Sequence, residues 1–331
     1  MYAKIQLVLA NQGYVAKIRT IYICLIFYGT NMNKVGMNMF VWTMSVDEDL
    51  ADTFAFLKRS GFDFVEIPIN APDNTEKWSR IGQQINELGL GVQTCTLCGP
   101  EHSLISSDAS VRQAGVEHLK QVIDCCALIG ANILMGPFYA GFKVFTGKPA
   151  TVEEWDWSVT GMREVAQYAQ TKNVVLAAEY LNRFETYLLT CADDLVRYVE
   201  AVDHPNCRAA FDTFHANMEE KNIGDAIRTC APYLVHVQIS ENDRSTPGKG
   251  HINFDEVFGA LSDVGYEGPI AIEAFGPNPP ELAAATHIFR PMFDSPEQLA
   301  VDGLAFINSR RDRTGAPATP RVSYASATVQ I

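Results

Sequence analysis

Basic side chains are scarce and scattered in this chain of 331 residues. It has 26 Lys and Arg residues against 39 Asp and Glu residues, a formal net charge of -13 and a sequence pI near 5.0. Proteins that bind nucleic acids or anionic membranes need clustered Lys and Arg side chains to neutralise phosphates. We therefore expect neither a nucleic acid nor a membrane as a partner.

The chain also lacks an apolar run long enough to span a bilayer, which takes about 20 residues. The run IYICLIFY at 21–28 is too short for this, and no A-x-A-like cleavage site of a signal peptide follows it. We predict that residues 1–31 are an extension ahead of the folded domain. Residues 311–331 contain few large aliphatic side chains, which predicts a flexible C-terminal tail.

The eight cysteines do not form the pattern of a disulfide framework. Cys95 and Cys98 make one CxxC motif, but no second pair completes a structural zinc site. Ordinary buried thiols in a reducing compartment are the simplest interpretation, so we expect a cytoplasmic protein. No glycine-rich dinucleotide motif follows any predicted strand, which argues against a Rossmann domain.

The sequence between the two tails, residues 32–310, alternates between strand and helix patterns eight times. Amphipathic segments such as 49–61 and 111–130 end at a glycine that suits a helix C-cap. Eight strand and helix units in a chain that is 47% hydrophobic predict one α/β domain, a closed (β/α)8 TIM barrel. The predicted strands are 35–41, 62–67, 90–96, 131–136, 174–179, 207–212, 233–239 and 269–274.

Four predicted strands in the second half of the chain each end in a side chain that could hold a metal ion. The carboxyl ends of parallel strands in a barrel converge on one mouth, so these side chains should face each other. Three carboxylates held close together repel one another unless a cation compensates them. The pattern predicts a hard divalent ion bound by oxygen ligands. The four residues are Glu179, Asp212, Gln238 and Glu273.

Three more polar residues follow these strands and should hang over the mouth. Glu185 follows the fifth strand, His215 the sixth and Arg244 the seventh. An extra carboxylate, a neutral imidazole and a guanidinium together can recognise adjacent sugar hydroxyl groups. Taken singly, His215 could instead be an ordinary loop histidine, and Arg244 a surface charge paired with Glu241 or Asp243.

A metal ion at this mouth would polarise a ketone carbonyl and favour loss of the neighbouring proton. Two glutamates on opposite sides of the site, Glu179 and Glu273, could take and return that proton. The residues therefore predict an enzyme that acts on a small keto compound.

Four segments carry a family resemblance: AEYLNRFE, FDTFHANMEE, SENDRSTPGKG and IEAF. They resemble the sugar isomerase and epimerase superfamily with xylose-isomerase-like barrels, above all the ketose 3-epimerases of the D-tagatose and D-psicose type. The resemblance runs from about Met32 to about Ser309. It implies a metal, manganese most of all, with cobalt or magnesium as alternatives, and barrels of this kind commonly form homo-oligomers.

The resemblance also assigns roles to individual residues. The family's metal ligands are Glu, Asp, His and Glu, and its two glutamates also act as the acid and base. The family's substrate contacts fall on Glu185, His215 and Arg244. The ligands fall on Glu179, Asp212, Gln238 and Glu273.

Gln238 departs from the family pattern, because it stands where the family has a histidine. An amide oxygen is a hard, neutral donor, whereas an imidazole nitrogen favours transition metals. His236 lies two residues earlier and could replace Gln238 only if the strand register shifted. The simplest expectation is that Gln238 binds the ion through its oxygen.

This departure keeps two other functions open. Related barrels act on 3-keto-glycosides, including the α subunits of C-glycoside deglycosidases, which work beside a small β subunit. Such a lyase shares the proton abstraction step but then expels an aglycone, for which Tyr139, His102 and Lys143 are candidate acids. The second alternative is a barrel that binds sugar without turning it over, and stoichiometric metal with chelator-sensitive turnover would exclude it.

Overall fold

The computed structural model describes residues 33–44, 46, 49–72 and 75–314. Eight parallel strands form a closed barrel in chain order, from β1 beside β2 through to β8 beside β1. The predicted (β/α)8 barrel is confirmed. The strands are β1 (Val35–Asn38), β2 (Phe64–Pro68), β3 (Gly91–Cys95), β4 (Ile133–Gly136), β5 (Val175–Glu179), β6 (Cys207–Asp212), β7 (Leu234–Ile239) and β8 (Ile270–Ile272).

Helices follow the strands, as the alternating pattern predicts. The predicted segment 111–130 is the long helix α3, which begins after the N-cap Asp108 and ends at Gly130 with a φ of 87°. The helices are α1 (Ala51–Ser60), α2 (Thr75–Glu87), α3 (Ala109–Ile129), α4 (Val152–Thr171), α5 (Ala192–Val202), α6 (Thr213–Glu219), α7 (Ile223–Cys230), α8 (Phe254–Asp263), α9 (Pro280–Thr286) and α10 (Pro296–Thr314).

The first strand is shorter than predicted. We expected it to span 35–41, but it ends at Asn38, and Met39–Val41 form one turn of 3-10 helix. The side chain of Asn38 accepts a hydrogen bond from the backbone N–H of Phe40 at 2.8 Å. Such a local bond competes with continued strand pairing, so the chain turns at this point.

The strand register decides which side chains reach the mouth. Asp212 pairs with Gln238 across β6 and β7, whereas His236 pairs with Ala210 deeper in the barrel. The sheet contains an irregularity between Ala209 and Ala210, but it leaves Gln238 level with Asp212. Gln238 therefore lies at the strand end and His236 does not.

Buried apolar side chains pack against both faces of the barrel strands. Large side chains such as Trp78, Phe54 and Phe211 are buried between the strands and the surrounding helices. No helix in the described part of the chain is long and apolar enough to cross a membrane. The predicted extension at 1–31 lies outside the described residues, and α10 continues to Thr314, into the stretch predicted as a tail.

Candidate active site

Two of the predicted ligands lie close together at the carboxyl ends of β5 and β6. One oxygen of Glu179, one of Asp212 and a ring nitrogen of His215 all lie within 4.8 Å of one another. All three residues are buried. His215 lies on the first turn of α6, three residues after Asp212, which places its ring beside the carboxylate. Among the described His, Cys, Asp and Glu residues, this is the group of three whose possible ligand atoms lie close enough together to share a metal ion.

Arg244 connects this group to the fourth predicted ligand. Its Nη1 atom lies 2.6 Å from Asp212 Oδ2 and 2.6 Å from Glu273 Oε2. The guanidinium packs over the rings of Phe214 and Phe275, at 3.8 and 4.6 Å from their centroids. Arg244 is only 5% exposed, so the reading of it as a surface charge is wrong. Its cation compensates two carboxylates that would otherwise repel each other.

Gln238 lies in the same layer, but its amide nitrogen is turned to carboxylates. Nε2 donates to Glu66 Oε1 at 2.6 Å and to Glu273 Oε1 at 3.1 Å. Its Oε1 atom is buried and has no hydrogen-bond partner. The Oε1 atom of Glu179 is likewise buried and unpartnered.

These two unpartnered oxygens test whether the site fits a cation. A buried polar atom without a partner loses the hydrogen bonds it would make to water, and native proteins rarely leave one uncompensated. The two such oxygens at the mouth, on Glu179 and Gln238, alternate with the carboxylates of Asp212 and Glu273 in strand order. Oxygens of carboxylates and amides are the ligands of hard divalent ions, so the donor set fits such an ion.

The pKa values of the acids are perturbed as expected for a buried cluster. Burial, together with the charges of Asp212 and Glu273, raises the pKa of Glu179 well above its usual value. Burial raises the pKa of Glu273 to about 8, although Arg244 opposes the shift. Burial would also raise the pKa of Asp212, but Arg244, together with His215 and hydrogen bonds from Phe214 and Ser240, lowers that pKa below its usual value. Asp212 is therefore the anion that Arg244 stabilises most.

His215 is held as a neutral imidazole. Burial and the nearby Arg244 charge lower its pKa to about 3. Its Nδ1 atom lies 3.1 Å from the backbone N–H of Asn182 and 3.0 Å from the side-chain nitrogen of the same residue. Glu185 lies behind this ring, with Oε2 3.9 Å from Nδ1, and burial raises its pKa. The three predicted substrate-binding residues thus share one wall of the site.

The cluster forms the floor of a pocket with an empty volume of about 660 Å³, including the space open to solvent. Glu179, Glu185, His215, Arg244 and Glu273 supply its polar side. The remaining lining is mostly apolar. It includes Phe40, Met44, Leu97, Met135, Phe142, Leu181, Phe275 and Leu282.

The three candidate proton donors for a leaving aglycone, Tyr139, His102 and Lys143, do not line this pocket. The Tyr139 hydroxyl is buried and donates to the Leu189 carbonyl at 3.3 Å. His102 stacks on His118, with ring centroids 4.0 Å apart. Lys143 donates to the Ala285 carbonyl. The suggestion that these groups protonate a leaving group is not supported by their positions.

Two buried polar residues of the first half of the barrel were not identified from the sequence. Glu66 of β2 and Asn38 of β1 are fully buried, and Asn38 Nδ2 donates to Glu66 Oε1 at 2.6 Å. His236 Nε2 also lies 2.6 Å from Glu66 Oε2, although neither atom has a hydrogen bond of good geometry. A glutamate in the middle of the apolar strand FVEIP was the available signal, because an acid is rarely buried without a partner.

A comparison with protein families matches the family described as the xylose isomerase-like TIM barrel to residues 54–310. A D-psicose 3-epimerase of Ruminiclostridium cellulolyticum is 34% identical to this chain over 250 residues, which are 73% of this chain and 84% of that protein. The predicted resemblance to sugar epimerases is therefore confirmed.

Solved structures agree with the sequence comparison. The structure of an L-ribulose 3-epimerase superposes with a TM-score of 0.81 at 30% identity, over 87% of this chain and all of the other. A D-psicose 3-epimerase of Clostridium cellulolyticum, solved with D-tagatose, gives a TM-score of 0.77 at 27% identity, over 84% of this chain and 98% of that one. The similarity covers the whole barrel in both cases.

Proposed function

Because this chain belongs to the xylose isomerase-like TIM barrel family, we propose that it is a divalent-metal-dependent ketose 3-epimerase. The substrate class is a small free keto-sugar, and the reaction inverts one carbon beside its ketone. The relatives named for this activity support the class of substrate. The proposed metal is Mn²⁺, with Mg²⁺ and Co²⁺ as alternatives.

The observation that carries the proposal is the pair of glutamates on different walls of one pocket. Glu179 ends β5 and Glu273 follows β8, and both line the cavity. Inversion of a carbon requires that a proton leave from one face and return to the other. Two carboxyl groups on opposite walls can serve the two faces, which a single base could not do.

Glu179, Asp212, Gln238 and Glu273 are the residues that would hold the ion. Once bound, the ion would polarise the ketone and stabilise the negative charge that develops on its oxygen. Arg244 and His215 bring N–H groups to the same pocket, where they orient the hydroxyl oxygens of a sugar. The buried carboxylate of Glu185 accepts from a hydroxyl hydrogen. These contacts fix the reacting carbon between the two glutamates.

The raised pKa values of the two glutamates suit proton transfer. A general acid or base works best with a pKa near the working pH, and the pKa of Glu273 is about 8. Burial and the neighbouring carboxylates also raise the pKa of Glu179. One of the pair can therefore start as the carboxylate that takes the proton, while the other holds the proton that is returned.

We also propose that the protein works in a reducing compartment, the cytoplasm, and as a homo-oligomer. Six of the seven cysteines in the described part of the chain are buried, as ordinary core thiols are. Phe145, Phe184 and Phe289 are exposed on the segments that follow β4, β5 and β8, and exposed aromatic side chains of this size support a subunit contact near the mouth.

The direct test is incubation with D-fructose, D-tagatose and L-ribulose after loading with Mn²⁺, followed by chromatography of the sugars and NMR in heavy water. We expect a new epimer and deuterium at the inverted carbon, and loss of both on chelation. A 3-keto-C-glycoside is tested in parallel. Release of its aglycone without any epimer of the free ketoses would replace the proposal with the lyase alternative.

A further inference from the structure

We propose that the metal site binds its ion through oxygen atoms only, and that Glu66 is a positioning residue that turns the oxygen of Gln238 toward the ion. Such a site would favour Co²⁺ and Ni²⁺ over Mn²⁺ and Mg²⁺ less than a site with a nitrogen ligand does. This inference rests on the proposed function, because it concerns the same ion. It assigns a role to a buried acid outside the predicted site and to the residue that departs from the family pattern.

The orientation of the Gln238 amide follows from its neighbours. One amide atom lies 2.6 Å from Glu66 Oε1 and 3.1 Å from Glu273 Oε1. An amide oxygen there would face two carboxylate oxygens and be repelled, whereas the NH₂ group donates one hydrogen to each. The amide nitrogen of Gln238 therefore donates to Glu66 and Glu273. Oxygen Oε1 is left as the free end of the amide, and it has no hydrogen-bond partner.

Glu66 can impose this orientation because it is itself held in place. It is fully buried on β2, and its Oε1 atom also accepts from Asn38 Nδ2 at 2.6 Å. His236, two residues before Gln238 on β7, lies 2.6 Å from its Oε2 atom. Carboxylates behind a metal ligand commonly fix the orientation of that ligand in this way.

The ring nitrogen Nδ1 of His215 is likewise occupied by hydrogen-bond donors. A backbone N–H can only donate, so the bond from Asn182 makes Nδ1 of the ring an acceptor. The Asn182 side chain confirms this, since its Oδ1 accepts from Phe184 N and its Nδ2 therefore faces the same Nδ1. The other ring nitrogen, Nε2, lies 3.1 Å from Arg244 Nη2, as well as 3.5 Å from Glu179 and 3.6 Å from Asp212.

Both ring nitrogens of His215 thus face N–H groups, and the Arg244 cation occupies the place in front of Nε2 that a metal ion would need. The remaining donors toward the centre are the carboxylate oxygens and Gln238 Oε1, so the ligand set contains no nitrogen. Nitrogen ligands favour later transition metals, whereas carboxylate and carbonyl oxygens suit Mg²⁺ and Mn²⁺. Gln238 in place of a histidine therefore shifts the ion preference toward hard cations.

The test uses the full chain, stripped with a chelator and titrated with Mn²⁺, Mg²⁺, Co²⁺ and Ni²⁺ by calorimetry. We expect the Mn²⁺ and Co²⁺ affinities to differ by less than about tenfold. Pulsed electron paramagnetic resonance of the Mn²⁺ form should show no directly coordinated nitrogen. A coordinated nitrogen, or a large preference for Ni²⁺ and Co²⁺, would overturn the inference.

Two variants test the role of Glu66. Gln238→His should add a coordinated nitrogen to the resonance spectrum and raise the Co²⁺ affinity relative to Mn²⁺. Glu66→Gln should weaken Mn²⁺ binding by about 10- to 100-fold, the usual cost of losing the group behind a ligand. Glu154→Gln is the matched control, because Glu154 is a buried acid in α4 outside the pocket.

The double variant separates positioning from a general structural effect. If Glu66 acts through residue 238, the effects of Glu66→Gln and Gln238→His on Mn²⁺ affinity will not add. Additive effects, or an unchanged Mn²⁺ affinity in Glu66→Gln, would refute the role of Glu66. If Glu66→Gln does not fold, the wild-type titration and spectrum still decide the oxygen-only site.

The outcomes also separate this inference from the proposed function. If the wild-type protein epimerises ketoses but coordinates its metal through nitrogen, the proposed function stands and the oxygen-only site is refuted. If the wild-type protein binds Mn²⁺ through oxygen atoms only but converts no ketose, the proposed function is refuted and the oxygen-only site stands. If the protein binds none of the four ions, both the proposed function and the oxygen-only site are refuted.

Discussion

The two halves of the barrel contribute different chemistry to the same pocket. Strands β5 to β8 supply the charged groups, Glu179, Asp212 and Glu273, whereas the pocket residues at the ends of β3 and β4 are mostly small or apolar, such as Cys95 and Met135. β4 ends at Gly136 with a φ of 137°, where a Cβ atom would lie only 2.0 Å from the Thr96 carbonyl oxygen. The second half of the barrel thus supplies the acidic side chains of the pocket, and the first half supplies mostly apolar lining.

The difference explains why the electrostatic effects in the site are large. An apolar wall keeps water away from the carboxylates, and charges interact more strongly where water is excluded. The exception is the pair Asn38 and Glu66, which lies in the first half but bonds to Gln238 and Glu273 in the second. The first half therefore supports the site through two buried polar groups as well as enclosing it.

The strongest test of the charged half is removal of its proposed acid and base. Glu179→Gln and Glu273→Gln should each lower turnover by at least about 10²- to 10⁴-fold, the usual contribution of general acid–base catalysis. Deuterium incorporation from heavy water should disappear in at least one direction of the reaction. Glu200→Gln, on the exposed face of α5, is the control. Full exchange in either site variant would refute the assignment.

Removal of Arg244 should change stability and ion binding together. Arg244→Met leaves Asp212 and Glu273 buried without their cation, which costs about 3–5 kcal/mol for a buried pair. Mn²⁺ can replace the missing charge, so it should raise the melting temperature of the variant more than that of the wild type. Thermal unfolding with and without Mn²⁺ measures this difference. An equal rise in both proteins would mean that Arg244 does not compensate the cluster.

The charged half should also make stability depend on pH. Glu273 has a pKa of about 8 in the folded chain, above the 4.5 of an ordinary glutamate, so the folded state binds more protons between these values. Stability of the chelated protein should therefore fall as pH rises from about 4.5 to 8. Urea unfolding across this range measures the slope. Glu273→Gln should flatten the curve, and an unchanged slope in that variant would contradict the shift.

The smallest expected effect lies in the supporting half. Asn38→Ala removes one donor to Glu66 and a weaker one to Glu273, at 2.6 and 3.3 Å. Loss of a partner to a buried group costs about 1–3 kcal/mol of stability. Turnover should fall much less than in the Glu179 variant, as steady-state kinetics would show. A loss of turnover as large as that of Glu179→Gln would erase the distinction between the two halves.

Much of the charged half could be predicted because its residues end their strands. VVLAAE, CRAAFD and PIAIE each place an acid directly after an apolar run, and parallel strands bring such ends together. Glu66 was not predicted, since it lies inside β2 and its partners Asn38, His236 and Gln238 are distant along the chain. Pairing across a closed barrel is not visible from the strand that carries the residue.

The sequence by itself determined the barrel and the acids at its mouth, because apolar periodicity and strand ends are local properties of the chain. Only the tertiary structure decided the orientation of those groups. Arg244 between Asp212 and Glu273, Glu66 against the nitrogen of Gln238, and Asn182 against Nδ1 of His215 are contacts between separate strands and loops. Hydrogen-bond direction depends on which partners fold together, and that settles which atoms remain for a ligand.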